Sequence, residues 1–233
     1  MVAIKVFVGY DSREDIAWQV CRQSLERHAS REIAIHPIRQ PTVRELGLYT
    51  RSADAASTEF SLTRFLTPYL AGSEGYALFV DCDFLFTRDL YTILDDLQPG
   101  KAVHVVKHDY APSNAMKMDA QTQTTYPRKN WSSFMLFDCS HPDVRALTPD
   151  VVNCATPQHL HRFAWTDDAS VGELPRAWNF LVGEFVPPEV VPAAIHYTNG
   201  GPWFSNWRNV DYADEWCAER DAYEARMPIS AIG

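Results

Sequence analysis

The sequence predicts an α/β fold, with a mixed central sheet flanked by helices. Short apolar runs rich in Val, Ile and Phe alternate with amphipathic stretches, and polar turn residues separate them. With 46% hydrophobic and 22% charged residues over 233 positions, the chain has the balance of a globular protein with a real core, which excludes a disordered or fibrous reading.

The elements follow in order. Ile4 to Val8 is a first buried strand, and Gly9-Tyr10-Asp11-Ser12 is a turn. Ile16, Ala17, Val20, Cys21, Ser24 and Leu25 then share one face of a helix capped near Asp11 or Ser12. Ile33 to Ile38 reads as a second strand, the polar stretch 41–58 as loop, and Phe60 to Leu70 as a helix stopped around Pro68. Tyr76 to Val80 is a fully apolar strand, Asp89 to Leu97 a short helix, and Ala102 to Val106 another strand. Residues 108–130 form a polar loop long enough to suggest function. Ser133 to Phe137 resumes as a strand, Pro157 to Phe163 as a helix, and Tyr212 to Arg226 as a closing helix. No repeat, low-complexity tract or linker interrupts this order. The expectation is one domain over 1–233, with a first α/β half complete by residue 107.

Charge and cysteine usage narrow the class. A formal net charge of -9 argues against a nucleic-acid partner, which would demand a basic stripe. Cys21, Cys82, Cys139, Cys154 and Cys217 form an odd set with no CxxC pair, which fits reduced thiols in a cytoplasm. No stretch approaches the roughly 20 apolar residues of a membrane-spanning helix. A cytoplasmic location is expected, and docking at the inner membrane surface is compatible with it. Oligomeric state has no sequence signal.

The most informative stretch is Tyr76-Ala77-Leu78-Phe79-Val80 followed by Asp81-Cys82-Asp83. Ligands of open α/β sheets bind outside the carboxyl ends of strands. Residues two apart in extended chain point the same way, so both carboxylates can face one hard cation that also takes diphosphate oxygens. A surface turn with two solvated acids is the plain alternative. A distant His196 ends a second apolar stretch and can supply a third ligand, while Gly200-Gly201 lets backbone approach a phosphate. His159-Leu160-His161 lacks a nearby acid or Cys to complete a metal shell and reads as surface. No GxxxxGK[ST], GxGxxG or GxSxG occurs, so ATPase, dinucleotide oxidoreductase and serine hydrolase readings lack local support.

Taken in chain order, five segments resemble the retaining glycosyltransferases around family 8, the glycogenin-like and bacterial galactosyltransferase group with the GT-A fold. They are Phe7 to Asp11, Thr58 to Phe65, the DxD strand, Trp131 to Phe137, and His196 to Trp203. The resemblance implies a metal-dependent hexosyltransferase using a nucleotide-diphosphate sugar, UDP-linked, and a saccharide or glycolipid acceptor, with a nucleotide-binding half at 1–107 and an acceptor half at 108–233. It implies that Asp81, Asp83 and His196 hold a divalent ion, manganese or else magnesium, and that Gly9, Tyr10, Asp11, Arg64, Asp81, Gly200 and Gly201 line the donor. It further implies that Asp167 or Asp168 orients the sugar and steadies the positive anomeric carbon. Two departures stand out. Trp131-Ser132-Ser133 replaces the family's Asn-Ala-Gly, with Asn130 one place early, and the phosphate-binding Lys before Pro202-Trp203 is missing. Lys107, Lys129 and Arg208 are candidate substitutes. Trp178, Asn179, Trp203, Phe204 and Trp207 offer stacking surfaces for sugars, although core packing is the commoner use of large aromatics. Two rival functions stay open: a phosphatase resembling the haloacid dehalogenase type, with Asp81 as nucleophile and Asp83 as acid/base, and a non-catalytic nucleotide or carbohydrate binder.

Overall fold

A computed structural model describes residues 3–52, 58–72, 74–109 and 128–226. Strand β1 (Ile4–Gly9) leads through the turn Ser12–Glu14 into helix α1 (Asp15–His28). The expected face of α1 is the buried one: Ala17, Val20, Cys21, Ser24 and Leu25 all face inward, joined by Trp18. Asp11 caps the turn, its carboxylate accepting the Arg13 backbone N–H at 3.0 Å. Strand β2 (Ala34–Ile38) is followed by α2 (Gln40–Glu45), which corrects the expectation of loop from residue 41. Pro41 sits in its first turn, where the absent N–H costs nothing.

The same rule corrects the reading of Pro68. Residues 63–66 form a 3-10 turn, and α3 (Thr67–Ala71) then starts at Pro68 instead of ending there, stopping at Gly72 with φ 87°. Next come β3 (Tyr76–Val80), β4 (Phe84–Phe86), the 3-10 segment Leu90–Asp96 and β5 (Val103–Val105). Most of the expected polar loop, 110–127, lies outside the described residues. After it the chain continues through β6 (Phe134–Asp138), α4 (Pro142–Arg145), α5 (Pro149–Cys154), α6 (Pro157–His161), β7 (Val171–Glu173), β8 (Phe180–Leu181), β9 (Ala194–His196) and α7 (Ala213–Glu224).

Six strands form the main sheet in the order β2-β1-β3-β6-β5-β7. β1 runs parallel to both β2 and β3, whereas β6 is antiparallel to β3 and β5. The sheet is therefore mixed. β3 lies at its centre with Ala77 to Val80 fully buried, as expected of an apolar run covered on both faces. β4, β9 and β8 form a second sheet, with Phe84 directly opposite His196. Because β4 begins right after Asp83, this pairing carries the distant His196 back to the end of β3. Helix α1 joins the two sheets: it packs on β4, where the Ser24 hydroxyl accepts the Phe86 N–H at 3.0 Å. α7 docks on α1 through Gln23, whose amide donates to the Glu219 backbone carbonyl and carboxylate. None of the described helices is long and apolar enough to cross a membrane.

Candidate metal centre and donor site

The site forms where β1 and β3 end at one edge of the main sheet. Val8 pairs with Val80, so the turn at Gly9 to Asp11 and the acids after β3 are neighbours. Two backbone bonds fix the DxD segment. The Asp81 N–H donates to the Ser133 carbonyl, and the Tyr197 N–H donates to the Asp83 carbonyl, both at 3.0 Å. Asp81, Asp83 and His196 each present a ligand atom within 4.8 Å of the others. The three predicted metal residues are thus brought together from 115 residues of separation between the first and the last.

The histidine is held by a chain of side chains. The Asn179 amide nitrogen donates to the Ser133 hydroxyl (3.0 Å) and the Asn130 carbonyl (3.3 Å), which leaves its oxygen facing His196 Nδ1 at 2.9 Å. Assigned from this network, Nδ1 carries a proton, and Nε2 is turned toward Asp83 Oδ1, 3.3 Å away. The ring stacks on Phe84 at 4.3 Å and is 2% exposed, which limits its freedom to turn away. Two carboxylates and an imidazole nitrogen so placed could hold a metal ion.

Arg64, 5% exposed, lies in the 3-10 turn, not on a surface helix. Its Nη1 is 2.8 Å from Asp81 Oδ1 and donates to the Ser132 carbonyl at 2.7 Å. The guanidinium lies over Phe60 and Phe79, at 5.3 and 5.0 Å from their centroids. Ser132, in turn, bonds His161 Nδ1 at 2.8 Å. This corrects the surface reading of His161: its ring packs edge-on against Phe65 and supports the loop that holds Arg64. Burial, with Arg64 nearby, drives the His161 pKa down to about 3.

The other expected donor residues are placed as follows. Gly9 is required by packing, since a Cβ there would stand 2.5 Å from the Phe60 ring. Tyr10 is half-buried beneath the Arg39 guanidinium, 3.6 Å from its centroid, and donates to Asp15 Oδ1 at 2.8 Å. Asp11 is wholly buried, and its carboxylate receives Arg13 Nε, Arg13 Nη2 and the Glu59 N–H. Burial opposes its ionisation, but these donors outweigh it and hold the carboxyl below its ordinary range. The space a side chain would need at Gly200 and Gly201 is filled by the Trp207 and Trp203 rings, respectively. Trp203 also packs on Trp216 at 5.3 Å, and Trp178 is buried with its indole N–H on Asp96, so core packing explains both.

Asp167 and Asp168 are exposed on the turn before β7 and lie outside the Asp81, Asp83 and His196 group. Arg128 pairs with Asp168 at 2.5 Å and holds its carboxyl below the ordinary range. Of the candidate substitutes for the missing lysine, Lys107 donates to the Val171 carbonyl, Lys129 is buried and Arg208 is exposed. One residue that sequence reasoning passed over is Glu14, which is 2% exposed. Burial, reinforced by the charges of Asp83 and Asp11, pushes its carboxyl well above the usual range. An acid at a helix start is the ordinary expectation, so nothing in the sequence separated it from a solvated first-turn residue.

Comparison with known proteins bears on fold and family. No protein-family model matches the chain. Protein CDI of Arabidopsis thaliana is 46% identical over 224 residues, covering 94% of this chain and 86% of that protein. Among solved structures, the galactosyltransferase LgtC in complex with donor and acceptor sugar analogues aligns with a TM-score of 0.62 at 11% identity, over 97% of this chain and 98% of that one. The bifunctional glycosyltransferase WbbM aligns with a TM-score of 0.58 at 16% identity, over 97% of this chain, which spans only 52% of WbbM. Likeness at such low identity speaks for the fold, and the sequence match speaks for kinship: the chain has the GT-A glycosyltransferase fold and belongs to the family of Protein CDI.

Proposed function

We propose that this protein is a metal-dependent, retaining glycosyltransferase that moves a hexosyl group from a UDP-linked sugar to a saccharide-type or glycolipid acceptor. The observation that carries this reading is the convergence of Asp81, Asp83 and His196 at the carboxyl end of β3 in a GT-A fold. These three residues would hold manganese or magnesium, which supplies positive charge to the departing diphosphate. Asn179 keeps the His196 lone pair directed at the ion, and Arg64 orients Asp81. Gly9, Tyr10, Asp11, Gly200 and Gly201 belong to the donor side, and Asp167 or Asp168 orients the sugar and steadies the positive anomeric carbon, on the strength of the family resemblance. In the transfer, the bond from the anomeric carbon to the phosphate oxygen breaks. A bond to the acceptor oxygen forms on the same face, and the acceptor proton passes to the leaving phosphate oxygen. The full 1–233 chain acts as one transferase domain in the cytoplasm.

A thermal-shift panel of nucleotide diphosphates, with and without manganese, tests the reading. Ligand at a hundredfold excess over Kd stabilises a fold by about 2.7 kcal/mol. The expected result is a manganese-dependent shift for UDP that disappears on adding EDTA and in Asp83→Asn. Absence of a shift for every nucleotide, together with phosphate-ester hydrolysis abolished by Asp81→Asn, would establish the phosphatase alternative instead.

A further inference from the structure

Glu14 is the N-cap residue of α1, yet its side chain makes no capping bond. Its Oε2 is sealed from solvent and has no hydrogen-bond partner among the described residues. A carboxylate in that condition is costly to fold, and a side chain that only filled space there would be apolar. The surroundings add to the cost. Val8 pairs with Val80 and α1 packs on β4, which sets the turn that carries Glu14 beside the end of β3. There Asp83 and Asp81 bring negative charge, and Asp11 adds more from the turn before α1. Arg13, whose positive charge acts on Glu14, is bound in bidentate fashion by Asp11. Among the described residues no hydrogen-bond donor reaches Glu14 Oε2, and the ion-binding edge of the site can provide one together with positive charge.

We infer that Glu14 is a positioning carboxylate of the metal centre, accepting a hydrogen bond from water bound to the divalent ion held by Asp81, Asp83 and His196. The link runs through water because Glu14 stands outside the set of ligand atoms that lie within 4.8 Å of one another. Manganese and magnesium ions retain water ligands that need such acceptors. The inference rests on the reading of those three residues as a cation site, and it adds a carboxylate to that site's surroundings.

The test is titration calorimetry of the full chain with manganese alone, comparing wild type, Glu14→Gln, Glu14→Leu and Asp83→Asn. Loss of an outer acceptor lowers metal affinity about 10- to 100-fold. Both Glu14 variants are expected to show that loss, while their metal-free forms melt at or above the wild-type temperature because an unpartnered buried acid is gone. Glu14→Leu, which needs no partner, guards against misfolding of the amide variant. Affinity within about threefold of wild type in both Glu14 variants, with binding lost in Asp83→Asn, overturns the role of Glu14 and leaves the cation site standing. A lowered metal-free melting temperature in both variants overturns it as well, in favour of a structural role. Undiminished binding by Asp83→Asn, or none by wild type, removes the cation site itself.

Discussion

His161 illustrates how a side chain remote from the ligands governs the site. Its ring holds Ser132, whose carbonyl receives Arg64, which in turn faces Asp81. The ring stays neutral in the fold because burial and the Arg64 charge depress its pKa to about 3, whereas the unfolded chain takes up the proton near 6.5. The unfolded state therefore binds the extra proton between those values. The stabilising contribution is complete above about pH 6.5 and is lost as pH falls toward 3, by up to about 1.4 kcal/mol per pH unit. His108, also buried and depressed to about 3, acts in the same direction. Urea denaturation from pH 7 to 4.5 should give a pH slope smaller by about one proton in His161→Gln than in wild type. Equal slopes would mean that the ring is not held neutral.

At the level of elements, the turn after β1 and the 3-10 turn at 63–66 depend on one close approach. Phe60 lies flat on Gly9 and is 2% exposed, and the Glu59 N–H is fastened to Asp11. Together they place Arg64 against the DxD segment. Gly9→Ala pushes a methyl group into the Phe60 ring, so a destabilisation of about 1–3 kcal/mol is expected. The change should also weaken manganese binding, because displacing Phe60 moves the turn that carries Arg64. Chemical denaturation and calorimetry on the same variant check the pair of effects. A variant that loses stability but binds manganese as wild type does would uncouple this turn from the site. α2 carries a different lesson: its polar first turn, Gln40-Pro41-Thr42, offers almost no apolar periodicity, and only Val43 is buried. Its helix is held by packing, not by pattern.

Across the whole molecule, the two sheets share a border rather than a linker. β4 and β9 flank the DxD segment, α1 touches both sheets, and α7 closes over α1 with Trp216 buried to 1%. The segments 1–107 and 108–233 should therefore unfold together. Far-UV circular dichroism and tryptophan fluorescence are expected to follow one coincident urea transition. Two separated transitions would show that 1–107 and 108–233 are independent units. The net charge of -9 adds a global constraint, since any anionic ligand approaching this acidic protein must meet local positive charge that offsets repulsion.

Much of the fold and the heart of the site were legible in the residues themselves. A continuous apolar strand ending in Asp81-Cys82-Asp83, the amphipathic face from Ala17 to Leu25, and the ordered recurrence of five segments are local patterns, and local patterns reflect backbone geometry and burial directly. The sequence by itself therefore determined the α/β class, the course of β1, α1, β3 and β6, and, with the family resemblance, the three residues that converge as a candidate cation site. Only the tertiary structure decided that His161 supports Ser132, that Trp203 and Trp207 cover Gly201 and Gly200, and that Glu14 Oε2 is buried without a hydrogen-bond partner among the described residues. These facts depend on contacts between segments far apart in the chain, and no periodicity records which side chain fills the space beside another until the sheets and helices have closed around it.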